Sequence, residues 1–459
     1  MTIKSFFTTR VYEPLYYKAY RNDETLKFFN LYKRLQWSSL ENNKKFQAKR
    51  LYALVKYASE NIPYYKRIVK NNKIKFSEET IFEDIRKFPV LTKDLIRKEF
   101  DNLYKAQQGV KWYYNNSGGS TGEPVKLIQD NNMRAESYAI TRLQFEWADY
   151  ELGETQIKLW GSEKDILKEK DHVKHKLANW ARSVYLLNSF MMDESMMRNY
   201  VNFINKKRPK MILAYVQSIF ELAKFIKKNN IKVFHPKSIM TSAGLLHLEA
   251  RQTIEEVFKC PVFNRYGSRE VGDAASECEK HEGLHTSMFT HYIEILDKNL
   301  KQCREGQTGE IYVTLLNNFT MPLIRYKIGD LGAYTDKKCS CGRGLPLIQQ
   351  IIGRTNSMLK TNKGVFDSVA ISVLLYFFKD GVPFQSFSKY QIIQEKKTKI
   401  IFKIIVTDHK LWQAERKRIE EKFNKVLGSD VDVIFKEVES IPPLKSGKYS
   451  YIINKMKNE

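Results

Sequence analysis

No stretch of this 459-residue chain approaches the roughly 20 consecutive apolar residues needed to cross a bilayer. The longest candidate, Val369 to Phe378, is about half that length and reads as a buried element. The N-terminus shows no apolar core followed by a small-residue cleavage site, so no secretory signal is visible and a cytoplasmic protein is expected. The G-x-x-x-x-G-K-[ST] spacing of a P-loop is absent, which argues against a GTPase-like or kinase-like phosphate site. Internal repeats and low-complexity segments do not stand out, and no recognised nucleic-acid module occurs. Acidic residues are in short supply: 52 Asp and Glu stand against 77 Lys and Arg, a formal net charge of +25. A field of that sign can attract nucleic acid, an anionic membrane face or acidic small substrates such as nucleotides and charged sugars. The lysines are scattered rather than blocked into a tail, which favours plain surface solvation, and no nucleic-acid partner is expected.

What is present points to a folded, multidomain protein. Hydrophobic residues at 42% and aromatics at 13% suffice for packed interiors, and the length exceeds one compact core. Residues 1–60 read as a helical N-terminal segment. Within it Phe6, Phe7, Tyr16, Tyr17, Phe28, Phe29 and Trp37 interleave with Arg10, Lys18, Arg21, Lys33 and Arg34. That mixture suits a helix lying in a membrane interface and equally suits helices capping a larger domain, so peripheral contact with the inner membrane face stays open. Leu51, Leu54, Val55 and Ala58 recur at helical spacing before Asn61 and Pro63.

After Gly122 strands and helices alternate. Helices are predicted over Met133 to Tyr150, Ile219 to Lys228 and Leu248 to Phe258, and strands over Met211 to Val216, Ser238 to Ala243 and Val262 to Tyr266. This is an α/β pattern whose ligand-binding loops gather at strand C-termini. Residues 309–335 read as antiparallel strands. A boundary is expected near 353, followed by a small α+β unit with strands Tyr390 to Ile393, Lys399 to Val406 and Val431 to Val438 and a helix Leu411 to Val426.

Four groups of residues carry chemistry. The segment Asn115 to Pro124 holds Ser117, Gly118, Gly119, Ser120, Thr121 and Gly122: its glycines let backbone N–H groups approach an anion, and its hydroxyls add donors suited to a polyphosphate. Tyr266-Gly267-Ser268-Arg269-Glu270 follows a strand, offering a ring to stack on a base and a carboxylate for Mg²⁺ beside phosphates. Asp330 ends Pro322 to Asp330 in a Gly-Asp pair, and a carboxylate there can accept both hydroxyls of a ribose. Lys448 lies in a polar, proline-containing loop near the C-terminus. Each of these alone also reads as an ordinary turn or a solvated side chain. Separately, Cys278-x-x-His281 and Cys339-x-Cys341 form two chelating arms whose soft ligands suit a tetrahedral, structural Zn²⁺, with His285 able to substitute for His281. Reduced, non-ligating thiols are the alternative, and Cys260 and Cys303 read as bystanders.

In chain order, the loops Ser117–Pro124, Tyr266–Glu270, Arg325–Asp330, Gly353-Arg354 and Ser446–Lys448 resemble the core motifs of the adenylate-forming (ANL) superfamily, on its phenylacetate–CoA ligase-like, CapK-type side. Cys339 to Pro346, Asn61-Ile-Pro-Tyr-Tyr-Lys and Phe88-Pro-Val-Leu-Thr-Lys strengthen the likeness, which runs from about residue 50 to the end. The resemblance implies a large domain, 1–353, holding ATP and substrate, and a mobile C-terminal lid, 354–459. It implies that Ser117 to Gly122 cradle the β- and γ-phosphates, that Tyr266 stacks near adenine, and that Ser268 and Glu270 serve the α-phosphate and Mg²⁺. Ala243, Gly244 and Gly267 join the nucleotide-contacting positions, Asp330 takes the ribose, Arg354 precedes the hinge, and Lys448 contacts the acceptor oxygen and α-phosphate. Three positions depart from the pattern: Glu123 replaces a common Lys, Asn356 a hinge Asp, and Gly244 a residue that is often acidic.

The implied activity is ATP-dependent activation of a small-molecule carboxylate as acyl-AMP, followed by transfer to a thiol (CoA among them), amine or hydroxyl acceptor in capsule or surface-polysaccharide synthesis. A nucleotidyltransferase that leaves AMP on its substrate is the rival within the same fold. A basic nucleic-acid-binding protein is the rival from another class.

Overall fold

A computed structural model describes residues 3–21, 23–117, 125–160, 179–189, 192–354, 358–366, 371, 384, 386–442 and 451–456. The chain divides into a larger unit, Met1–Ile328 with Gly332–Ile351, and a smaller one, Gly329–Leu331 with Ile352–Glu459.

The larger unit begins with helical turns over residues 3–21, then α1 (Thr25–Leu35) and α2 (Leu40–Asn61). Ser39 caps α2 by accepting from the Asn42 amide at 3.2 Å, and Leu51, Leu54, Val55 and Ala58 are fully buried along one face. The N-terminal aromatics split. Tyr17 and Phe29 are buried, whereas Phe6, Phe7 and Trp37 are exposed. Part of the segment therefore does cap the domain. No helix among the described residues is long and apolar enough to cross a membrane.

β1 (Trp112–Asn116) and β2 (Lys126–Asp130) pair antiparallel, Asn116 opposite Lys126, on either side of the Gly/Ser/Thr segment. Asp130 closes β2 and caps α3 (Asn131–Trp147), its Oδ1 accepting from the Met133 amide at 2.9 Å. The cap moves the helix start two residues ahead of the position read from periodicity. Ile140, Leu143 and Trp147 line its buried face as expected. At the centre of α1, α2 and α3 lies a buried polar triad: Arg50 Nη2 meets Glu136 at 2.8 Å, and the Tyr32 hydroxyl donates to the same carboxylate. Burial, with that carboxylate beside it, holds the Tyr32 hydroxyl well above its ordinary pKa, so it remains a donor.

Next come β3 (Gln156–Trp160), β4 (Val184–Asn188), α4 (Glu194–Lys207), β5 (Met211–Tyr215), α5 (Val216–Lys228), β6 (Ser238–Ser242), α6 (Leu248–Phe258) and β7 (Val262–Ser268). The antiparallel part follows as β8 (Gly272–Ser276), β9 (Leu284–Thr286), β10 (His291–Leu296), β11 (Thr308–Leu315), β12 (Tyr326–Tyr334) and β13 (Leu347–Arg354). Together they make an eleven-stranded sheet in the order β10-β11-β12-β13-β9-β8-β7-β6-β5-β3-β4. β4, β3, β5, β6 and β7 run parallel; at β8 the direction reverses. β5 and β6 are buried along their whole length, as parallel strands covered by helices must be. α5 and α6 supply that cover through Ile219, Phe220, Leu222, Ile254 and Phe258.

The smaller unit has a short hairpin, β14 (Leu359–Thr361) and β15 (Gly364–Phe366), and the strands β16 (Phe387–Lys396) and β17 (Lys399–Val406). These are followed by α7 (His409–Leu427), β18 (Asp432–Glu437) and β19 (Ile452–Asn454), the four long-range strands pairing in the order β18-β17-β16-β19. Tyr390 and Phe402 stack at 5.4 Å under Trp412 and Phe423 of α7. This is the small α+β unit expected from the sequence, with β19 as an added edge. The fold class, a large α/β domain with a smaller α+β one, stands.

Candidate functional site

The parallel strands end together on one side of the sheet, and their termini carry the chemistry-bearing residues of the larger unit. β5 ends at Tyr215, whose ring lies 4.1 Å from that of Trp160 at the end of β3, forming an aromatic wall. β6 ends in Ser242, after which Ala243 turns the chain with a left-handed φ of 63°. A Cβ on the following Gly244 would press on Val216 at 3.1 Å. These positions sit in the crevice outside strand carboxyl ends where open α/β sheets hold ligands.

β7 ends in Tyr266-Gly267-Ser268, where its register against β8 slips between Tyr266 and Gly267. At that slip the two backbones approach so closely that a Cβ on Gly267 would run into the Gly272 carbonyl oxygen. The slip turns the chain toward Glu270, a buried carboxylate whose amide donates to the Ser268 hydroxyl at 3.2 Å. Tyr266 is also buried.

Two residues to which the sequence reading assigned no role position this turn. Gln129 of β2 donates to the carbonyls of Arg269 at 2.9 Å and Glu270 at 3.2 Å, and Asn115 of β1 donates to the Arg269 carbonyl at 3.1 Å. Asn115 and Gln129 also bond each other at 2.9 Å. Both stems of the Gly/Ser/Thr loop are thereby tied to the turn bearing Glu270. Each of these two residues is one of several polar ones in its strand, Trp112–Asn116 or Lys126–Asp130, so nothing local singled it out. Ser117, at the root of the loop, is buried and its hydroxyl accepts from the Val125 amide at 2.8 Å. Gly118, Gly119, Ser120, Thr121 and Gly122 lie outside the described residues, as do Asn356 and Lys448.

In the smaller unit, Asp330 and Arg354 form an ion pair, Arg354 Nε lying 3.3 Å from Oδ1. The carboxylate expected to take the ribose and the arginine expected to precede a hinge are therefore neighbours, which the sequence reading treated separately.

The cysteine constellation differs from expectation in one ligand. Cys278, Cys339 and Cys341 converge, and the histidine that joins them is His285 rather than His281. His281 has a left-handed φ of 54° and its Nδ1 lies 3.0 Å from Glu277 Oε2, inside the Arg251–Glu277 ion pair, which removes it from the cluster. His285 sits on β9, opposite Ser276 of β8 and Leu347 of β13, with Nε2 3.3 Å from Cys341 Sγ. Burial, helped by the Arg343 guanidinium, lowers its pKa to about 4, so the ring is neutral near pH 7. Cys260 and Cys303 stand apart as free, buried thiols.

Residues 361–455 match the model of the CapK C-terminal domain. Over 427 residues the chain is 26% identical to Protein CapK of Staphylococcus aureus, a match covering 90% of this chain and 89% of that one. Over 458 residues it is 22% identical to a phenylacetate-coenzyme A ligase of Thermus thermophilus, covering 90% of this chain and 97% of the relative. Among solved structures, 2-hydroxyisobutyryl-CoA ligase in its postadenylation state superposes with a TM-score of 0.70 at 17% identity, over 89% of either chain. Along nearly its whole length, then, the chain is similar to the CapK-type and phenylacetate–CoA ligase-like proteins of the adenylate-forming superfamily, whose fold it shares.

Proposed function

We propose that this protein is an adenylate-forming ligase: it activates a carboxylate with ATP and passes the acyl group to a nucleophilic acceptor. The observation that carries the reading is the Asn115–Gln129 tie, which fixes the stems of a phosphate-gripping loop to the Tyr266–Glu270 turn at the strand ends. Similarity to CapK and to a phenylacetate–CoA ligase over about nine-tenths of the chain supports it independently.

In the first half-reaction a substrate carboxylate oxygen attacks the α-phosphorus, the bond from that phosphorus to the bridging oxygen breaks, and pyrophosphate leaves with the electron pair. Catalysis of such a step is positioning plus stabilisation of charge that builds on the phosphoryl oxygens. Backbone N–H groups and hydroxyls of Ser117 to Gly122 hold the β- and γ-phosphates, with Tyr266 against the base and Ala243, Gly244 and Gly267 bounding it closely. Asp330 accepts from the ribose hydroxyls, and Arg354 beside it orients that carboxylate. Lys448 brings a positive charge to the α-phosphate and the attacking oxygen. A buried carboxylate at the strand-end turn fits a hard, oxygen-liganded cation whose remaining positions belong to phosphate oxygens. Glu270 would hold Mg²⁺ in that way, and the ion would neutralise phosphate charge.

In the second half-reaction the acceptor attacks the acyl carbon, AMP leaves with the bonding pair, and the acceptor loses its proton. A thiol such as CoA, an amine or a sugar hydroxyl satisfies this chemistry, and the CapK likeness favours an acceptor in surface-polysaccharide assembly. Acid-dependent exchange of labelled pyrophosphate into ATP, run over aryl, fatty, amino and sugar acids, tests the proposal. At least one acid class should drive exchange and give an acyl-AMP by mass. A product that keeps AMP on a hydroxyl after turnover would assign nucleotidyl transfer instead, and no exchange with any acid would defeat the ligase reading.

A further inference from the structure

We propose that Cys278, His285, Cys339 and Cys341 bind one Zn²⁺, and that this ion clamps the seat on which the α1–α2 corner docks. The inference stands apart from the ligase reading.

The donor set comes first. Cys278 Sγ and Cys339 Sγ are 3.6 Å apart, Cys341 Sγ and His285 Nε2 are 3.3 Å apart, and all four atoms lie within 4.8 Å of one another. Zn–S bonds near 2.3 Å and Zn–N bonds near 2.0 Å place tetrahedral ligand atoms roughly 3.5–3.8 Å apart, so the two close pairs already stand near that spacing and the whole set lies within about 1 Å of it. A disulfide would need its sulfurs at about 2.0 Å and would leave an odd thiol. Three thiols and an imidazole select zinc over hard cations such as Mg²⁺ or Ca²⁺. With four protein ligands the site has no open position for substrate and is structural. Backbone amides of Lys280 and Arg343 point at Cys278 Sγ and Cys341 Sγ at 3.5 and 3.4 Å, an outer shell suited to thiolates.

The position of the site supplies its role. Cys278 follows β8, His285 lies on β9, and Cys339 and Cys341 precede β13, so one ion joins three segments of the sheet. The knuckle 339–344 is where the N-terminal helices land. The Gly344 amide donates to the Gln36 carbonyl at 2.8 Å, and Asn43 of α2 donates to the Gly344 carbonyl at 2.7 Å. A Cβ at Gly344 would collide with the Ser38 carbonyl oxygen, so the two chains meet backbone to backbone. Arg343 reaches Gln36 Oε1 at 3.1 Å and lies over the Trp37 ring at 4.7 Å. Without the ion, nothing covalent holds this knuckle in the shape those contacts require.

The test uses the full chain purified without added metal. Elemental analysis should find close to one zinc per chain, and His281→Ala should keep it, whereas Cys341→Ser should lose most of it. Graded removal from the wild type by a chelator, followed by hydrogen exchange, should raise exchange in residues 25–61 several-fold and leave α7 unchanged; this arm needs no variant to fold. A zinc-free or iron-loaded wild type, or loss of zinc in His281→Ala alone, overturns the ligand set. Unchanged protection of residues 25–61 after zinc removal overturns the clamp.

Discussion

The side-chain amide of Gln129 donates to two successive carbonyls, Arg269 at 2.9 Å and Glu270 at 3.2 Å. Through it a hairpin stem and a strand-end turn 140 residues apart are joined. Gln129→Glu keeps the shape and removes the donor, setting a carboxylate against two carbonyl oxygens. Each lost hydrogen bond is worth about 1 kcal/mol net, and more where a buried acceptor is stranded. The variant should fold, lose a few kcal/mol at most in denaturant titrations, and show a raised KM for ATP in pyrophosphate exchange. Wild-type exchange kinetics would show that the tie plays no part in nucleotide handling.

Lys448→Ala removes a positive charge that the proposed reaction uses as negative charge develops on the phosphoryl oxygens. Loss of one such stabilising group typically slows a reaction about 10²–10³-fold. Single-turnover adenylation should fall by that order, while ATP affinity measured by calorimetry stays within a few-fold. Unimpaired adenylation would take Lys448 out of the mechanism.

Arg325 is a stability residue, although it lies in the motif that ends at Asp330. Its Nε sits 3.1 Å from Glu294 Oε2, its Nη1 donates to the carbonyls of Arg86 and Phe88 at 3.0 and 2.9 Å, and both charged groups are buried. Arg325→Ala strands the Glu294 carboxylate, whose pKa burial already raises. Breaking a buried pair from one side costs about 3–5 kcal/mol, so the variant should unfold at markedly lower denaturant or accumulate as insoluble protein. A shift below about 1 kcal/mol would contradict this account.

His247, just before α6, has both ring nitrogens shut off from water, and burial lowers its pKa to about 4. The unfolded chain takes up a proton near pH 6.5 that the folded chain refuses until about 4. Stability therefore falls as pH drops through this window and the loss is complete below it. The difference corresponds to about 3 kcal/mol. His285 and His291 are depressed in the same direction, so the contribution has to be read as a difference between proteins. In His247→Phe the slope of unfolding free energy against pH between 7 and 4 should be shallower than in the wild type. Parallel slopes would contradict the assignment.

Much of the architecture could be read from local pattern. The helix Leu248–Phe258 matches its periodicity to the residue, and β5, β6 and β17 fall within a residue of their expected limits. Local reading fell short where partners are distant. β3 and β4 were not singled out, although they pair in parallel with each other and β3 pairs with β5. α3 begins earlier than its apolar repeat because the Asp130 side chain, not an apolar residue, sets its first turn. The Asp330–Arg354 pair joins two motifs that look independent when read along the chain.

Composition, periodicity and the order of five short motifs were enough to determine an α/β domain followed by a smaller α+β one, and the superfamily they resemble. Those properties depend on residues close together in the chain, where backbone geometry and side-chain spacing act directly. Only the tertiary structure decided that His285 rather than His281 meets the three cysteines, and that Gln129 holds the turn before Glu270. Both depend on strand register. In a sheet a one-residue slip sends a side chain to the opposite face, and no local pattern records which strands, tens to hundreds of residues apart, will pair.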